Sequence, residues 1–299
     1  MSPVRVHPFA RLAIVCAIAT LTIQPLAAAA AETTRTVYVT ITDAKGAAVT
    51  DLAPTNFKVK EGGKDREVVK AAPATTKAHL ALMVEERLIG DTQVRVGMFE
   101  FVKRLSGLAD ISLITVGLVN NSLTPFASDV NVVLKAINEL SLNAQPTSNL
   151  VEGISDMAKI FDQQNVERPV MVVVAFAGGQ AGPHPSGILN TLRQSGATMF
   201  AVTFAAPGSN NPSNLSTMGD ESGREQVLGD GAKQSGGRRF EIVTTGAVAK
   251  ALQQVADDLA AQYQVSYSLP DGVKPDKRFN VTVDRKGLSV RAPQTLPDK

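Results

Sequence analysis

Residues 75–260 read as an α/β domain, an open, doubly wound sheet of mostly parallel strands with helices on both faces. The two chain ends, residues 33–72 and 262–292, read as the strands of one small β-sandwich beside it. Along the middle of the chain, short apolar runs alternate with segments whose apolar residues recur every three to four positions, as repeated strand–helix units require. At both ends, period-two alternation broken by Gly- and Pro-containing turns replaces that rhythm. Residues 170–176 (VMVVVAF) are apolar on both faces, the pattern of a central parallel strand.

Taken in order, residues 79–84 (HLALMV) form the first strand of the α/β domain. Val94, Met98, Phe99, Val102 and Leu105 give the next helix an apolar face. Residues 111–116 (ISLITV) are a second strand, and residues 123–126 turn back beside it as an edge hairpin after Asn120 and Asn121. Val130, Leu134, Ile137 and Leu140 mark a second helix; Leu150, Ile154, Met157 and Ile160 mark a third. Beyond the central run come a helix stopped at Gly196, a strand over 197–204, a weak helix over 227–233, a short strand over 239–243 and a long amphipathic helix over 248–263. In that last helix Asp257 and Asp258 fall on the wet face, opposite Val255 and Leu259. Residues 205–225 are a long polar loop whose Gly, Ser and Asn content predicts mobility, with a functional role as the alternative. The terminal strands are residues 36–42, 57–60 and 67–69, and then 264–269, 279–284 and 288–291. Neither set can bury a face alone, so the economical solution pairs the two ends.

Residues 1–31 have the order of a secretory signal. Arg5 and Arg11 precede an uncharged apolar run of 12 residues at 12–23, and small residues at 27–31 offer a cleavage site. The run is short for a membrane span, so cleavage is expected and a retained anchor is the alternative. Cleavage removes 2 of the 30 basic residues, none of the 28 acidic ones and the lone cysteine, Cys16, leaving 28 against 28. A neutral, cysteine-free chain excludes disulfides and thiol chemistry and offers no electrostatic footprint for nucleic acid. No later apolar run reaches membrane-spanning length, so no stable membrane insertion is expected after cleavage, and the protein is expected to be periplasmic or secreted.

Residues 39–62 (VTITDAKGAAVTDLAPTNFKVKEG), 235–240 (SGGRRF), 261–269 (AQYQVSYSL) and 287–292 (GLSVRA) bracket the α/β domain. In that order the chain resembles bacterial exported proteins with a von Willebrand factor A-related domain. The resemblance implies a divalent cation at the carboxyl edge of the sheet, held by Asp-x-Ser-x-Ser, a later Thr and a later Asp. Carried onto this chain, the first motif starts at Glu85 and Glu86, its serine positions fall on Arg87 and Ile89, the Thr position on Ser148 and the Asp position on Ala177. Two hydroxyls and a carboxylate are replaced, and a guanidinium at Arg87 would repel a dication. The resemblance therefore implies a degenerate site, with neither metal nor other cofactor. On one reading Arg87 stands in for the ion by pairing with Glu85 or Glu86. On the plainer one, preferred because exposed pairs contribute little, Arg87 is solvated in a charged loop.

Catalytic signatures are missing: there is no Gly-x-Ser-x-Gly, no H-E-x-x-H and no phosphate-binding Gly-rich loop. His79 opens the first core strand and reads as a strand-edge residue; His184, between Pro183 and Pro185, is the residue to test if a hydrolase is suspected. The leading expectation is a non-enzymatic protein-interaction module with an unknown protein partner in the envelope or outside the cell. A cation-dependent adhesion domain is the main alternative. In an open α/β sheet the crevice lies beyond the carboxyl ends of the strands. The candidate partner-binding residues are thus Glu85, Glu86, Arg87, Ser148, Asn149, Ala177 and His184.

Overall fold

The computed structural model describes residues 33–140, 148–178, 184–204 and 218–298, without the side chains of 218–222. The expected signal segment, Pro146 and Thr147, and residues 205–217 of the expected loop lie outside that description. In chain order the first four strands are β1 (Thr33–Thr42), β2 (Phe57–Glu61), β3 (Lys64–Arg66) and β4 (Val68–Pro73). The α/β region holds β5 (Ala78–Glu85), β6 (Ala109–Val116), β7 (Asn121–Ser122), β8 (Pro169–Phe176), β9 (Thr198–Phe204) and β10 (Arg239–Ile242). Its helices are α1 (Thr92–Arg104), α2 (Val130–Glu139), α3 (Leu150–Gln163), α4 (Pro185–Ser195), α5 (Met218–Gln234) and α6 (Val248–Ala260). The chain closes with β11 (Gln262–Leu269), β12 (Phe279–Val283) and β13 (Ser289–Arg291).

Strand periodicity decides the layering. Leu80, Leu82 and Val84 of β5 point to one face and pack with α1, α2 and α6, while Ala81 and Met83 point to the other and pack with α3, α4 and α5. The sheet order is β10-β9-β8-β5-β6-β7, parallel throughout except for β7. Helix starts and stops follow local chemistry. Asp91 accepts from Gln93 N and Val94 N to cap α1, Asp129 caps α2, and Gly196 ends α4 at φ 68°.

The chain ends build two antiparallel sheets, β13-β1-β11-β4 and β12-β2-β3, around an apolar cluster that includes Val39, Ile41, Val59, Tyr263, Val265 and Val281. The Ser-Gly-Gly segment before β10 has a steric reason: a Cβ on Gly237 would lie 1.9 Å from the Met199 carbonyl oxygen. Arg168 ties the α/β region to β11, with Nη1 donating to Thr76 O at 2.6 Å and Nη2 to Gln262 Oε1 at 2.7 Å.

Three expectations change. The buried stripe of α3 includes Leu150, Val151, Ile154, Ala158 and Phe161, and Ile160 is exposed, because the face that carries Phe161 is the one turned into the core. The loop expected over 205–225 is helical from Met218 onward. Asp258 is not on a wet face: it is buried and accepts from Arg238 and Arg291, joining α6 to the residue before β10 and to β13. Burial pushes its carboxyl above the usual range against the pull of those two guanidiniums.

Because β1 lies between β11 and β13, deleting residues 33–72 should leave apolar faces of β11 and β12 open. We expect the truncated chain to aggregate or to lose its cooperative melting transition. A monomeric product with unchanged melting by calorimetry and light scattering would show that the terminal strands do not depend on one another.

Candidate functional site

From β5 the chain moves outward to β6 and β7, then crosses back to β8 on the other side of β5. That reversal falls at the carboxyl ends of β5 and β8, the position where open α/β sheets place ligands. Glu85, the last residue of β5, is fully buried there. Its Oε1 accepts from Arg87 Nη2 at 2.8 Å, and its Oε2 accepts from Phe176 N at 2.7 Å and Arg224 Nη2 at 3.1 Å. Arg224 reaches in from α5 and also donates to Phe176 O at 2.8 Å. The Arg87 guanidinium lies over the Phe176 ring, 4.6 Å from its centroid. One carboxylate thus joins two arginines and the end of the neighbouring strand.

Arg224 is the larger surprise. Its side chain is wholly buried, and among the described residues Nε and Nη1 have no hydrogen-bond partner. Burial holds its pKa below the ordinary arginine value, Glu85 opposes that shift, and Arg87 adds to it. Nothing in the composition of residues 218–230 marks this position, since the helix that carries it has no clear apolar stripe. Its context, a Gly- and Ser-rich run, points to solvent. Only the β5 carboxylate gives a hint, because a Glu ending a core strand needs a buried counter-charge.

The other expected residues divide into two groups. Glu86 packs against Gly117 at the end of β6. Asn149 donates from its backbone to Gly117 O at 2.8 Å and from Nδ2 to Leu118 O at 2.6 Å, fixing the start of α3 to the β6–β7 loop. Ser148 is buried beside it, and its hydroxyl has no partner among the described residues. Ala177 donates to Phe204 O at 2.8 Å, joining the ends of β8 and β9. His184 stands at the N-terminal flank of α4 with φ 70°, and no hydrogen bond among the described residues joins it to the Glu85 cluster. His79 packs its ring against Phe126, with centroids 5.3 Å apart. Among the described residues no group of three His, Cys, Asp or Glu side chains converges on one point. The preference for a solvated Arg87 is corrected: its partner Glu85 has no exposure, so the pair is not a surface pair.

Sequence reasoning also missed the apolar flank of this face. Leu118 and Val119, in the loop after β6, are 56% and 65% exposed. Val243, just past the carboxyl end of β10 at the far side of the sheet, is 86% exposed.

A buried charge left wholly unpaired costs about 3–5 kcal/mol, but without Arg224 the Glu85 carboxylate keeps Arg87 and the Phe176 amide. Arg224→Met should therefore lower unfolding free energy by less than that amount in urea titrations, and adding Glu85→Gln should restore part of the loss, because Gln can still accept from Phe176 N. Equal losses in the single and double variants would show that the two charges are not coupled.

Residues 74–232 match the von Willebrand factor type A domain profile, 159 of the 299 residues (232 − 74 + 1). No curated protein sequence matches the chain. Among solved structures, the fold is similar to proximal thread matrix protein 1 from the mussel byssus, at 11% identity and TM-score 0.46, with 62% of this chain and 48% of that one covered. A second structure of that mussel protein, described as having a zinc-occupied MIDAS motif, matches at 11% identity and TM-score 0.49, covering 67% and 49%. A von Willebrand factor type A protein from Catenulispora acidiphila matches at 9% identity and TM-score 0.45, covering 88% and 74%. The chain spans about half the length of the mussel protein it matches. The parallel sheet, the helices on both its faces and the profile match agree: this chain belongs to the von Willebrand factor type A domain family, a family of protein-interaction and adhesion modules.

Proposed function

We propose that the chain is a non-enzymatic protein-binding module, exported from a bacterial cytoplasm to the periplasm or beyond, in which buried arginine replaces the family's cation. The observation that carries this reading is the saturation of Glu85. Both carboxylate oxygens are already engaged, by Arg87 on one side and by Arg224 and the Phe176 amide on the other. The residues at hand do not fit a divalent cation: a dication wants several hard oxygens, and here two guanidiniums face the carboxylate that would have to supply the first. Ser148 keeps a hydroxyl, but the neighbouring positions offer Ile89 and Ala177. The same features disfavour a cation-dependent adhesion mechanism. A hydrolase would need a nucleophile and base in contact, and His184 has no such partner among the described residues.

Without a metal to capture an acidic side chain, a partner is held by shape, apolar area and hydrogen bonds. Leu118 and Val119 supply apolar area beside Asn149, and Arg87, 34% exposed and stacked on Phe176, is a preorganised anchor. Glu86 adds an opposite charge at the rim, and His184 and Val243 extend the face sideways. Export rests on the order of charge, apolar run and small residues in 1–31; among the described residues no helix is long and apolar enough to cross a membrane.

Affinity capture from native envelope extract should retain a protein whose binding survives chelator. Titrated against that partner, Arg87→Ala and Leu118→Asp should each weaken binding tenfold or more, as truncating an interface anchor does. Lys159→Ala, on an exposed flank of α3, should change nothing. If all three variants bind alike, the partner sits on another surface.

A further inference from the structure

A second site lies at the opposite end of the molecule, along β1. The β13 ladder reaches only Thr40, Ile41 and Thr42 of that strand, paired with Arg291, Val290 and Ser289. In this register the next bonded pair would place Tyr38 opposite Pro293, and proline has no N–H to give. The chain therefore leaves β1 at Pro293. Gln294 N donates to Gln234 O at 2.8 Å, and Leu296 N donates to Lys277 O at 2.8 Å, just before β12.

What the tail vacates is a bare strand edge. Ile41 N donates to Ala261 O, in the same register as the β1–β11 ladder, so the odd-numbered residues of β1 bond towards β11 and the even-numbered ones face away. Thr40 and Thr42 are met by β13. Thr34, Thr36 and Tyr38 have no backbone partner on that side among the described residues. Three N–H and three C=O groups in a row, over about 14 Å at ~3.4 Å per residue, face a cleft of about 400 Å³. Residues of β1, the tail after Pro293 and α4 line that cleft, and no residue of β11 does.

We propose that this cleft binds an uncharged, extended peptide segment, which adds to β1 as an edge strand. Unpaired ladder groups along an open edge are a template for another strand. Leu189, Leu192 and Leu296 also line the cleft, and the half-buried Leu189 of α4 is the apolar side chain open to such a strand. The charged side chains at the cleft are already engaged: Arg35 by Glu61 and the Pro297 carbonyl, Arg193 by Asp298 and the Leu296 carbonyl, and Glu167 by Tyr38 and Thr76. The cleft thus offers backbone hydrogen bonds and apolar walls, which suit a neutral strand and give a charged one nothing to answer it.

The test uses the full chain and a pool of capped threonine hexapeptides, randomised among neutral residues at the two positions that would face α4. Saturable binding is expected, with slowed hydrogen exchange at the Thr34, Thr36 and Tyr38 amides and unchanged exchange at Arg35, Val37 and Val39. N-methylating every second peptide amide on the β1 side should weaken binding at least tenfold. So should Thr36→Pro, which deletes an edge N–H that the β11 ladder does not use, and Leu189→Trp, which fills the cleft from an unrelated element. The proposal is overturned if no pool member binds, if peptides with aspartate or lysine at the randomised positions bind better, or if both variants bind as wild type. It is also overturned if only small apolar molecules occupy the cleft and the alternate amides stay unprotected.

Discussion

A carboxylate at the end of a central strand has to be answered, because removing an ionised group from water costs far more than one hydrogen bond returns. In this chain the answer is internal. Glu85 closes β5 at the point where the sheet reverses its winding, and Arg224, Arg87 and the Phe176 amide converge on it from α5, from the turn after β5 and from β8. The arrangement fixes more than a charge. It holds the ends of the two middle strands together and anchors α5. It also places the Arg87 guanidinium over the Phe176 ring. Remove the central carboxylate and each of those positions loses its reason.

On the proposed reading, the same logic makes this face better suited to protein contact than to chemistry. A catalytic site keeps groups poised for transfer, with a base in contact with a nucleophile. Here the ionic groups at the centre are consumed by one another, and what remains outward is an arginine edge, the exposed Leu118 and Val119, and the Asn149 clasp on the β6–β7 loop. Surfaces of mixed apolar and amide character bind through area and water-excluding fit, and an anchor held in place before binding loses little entropy on contact.

Much of the fold was legible because hydrophobic periodicity is a direct record of layering. The doubly apolar run at 170–176 could only be a central strand, and the alternation at 36–42 marked a strand with one covered face. The positions that escaped reading are those set by tertiary partners. Asp258 follows the helical pattern of a wet face, yet Arg238 and Arg291 arrive from segments far apart in sequence and bury it. Arg224 sits in a Gly- and Ser-rich run that propensity assigns to solvent, and only the distant Glu85 explains its burial. The residues singled out at the strand ends accordingly include the carboxylate and the outer arginine of this cluster and lack the inner one. Pro293 was a local signal of the opposite kind. Its missing N–H stops a ladder, and the consequence, an uncovered stretch of β1, appears only once the register of β13 is known.

The central claim is that a guanidinium occupies the charge position that a cation would need. Thermal unfolding of the full chain with increasing Mg²⁺ or Mn²⁺ tests it most directly. A ligand specific to the native state stabilises by about 2.7 kcal/mol at one hundred times its dissociation constant, well above what a melting curve resolves. The account predicts no saturable rise in melting temperature with either ion, and no difference between the wild type and Ser148→Ala. A saturable rise that Ser148→Ala abolishes would contradict it, because a cation would then be coordinated where Arg224 and Arg87 meet Glu85.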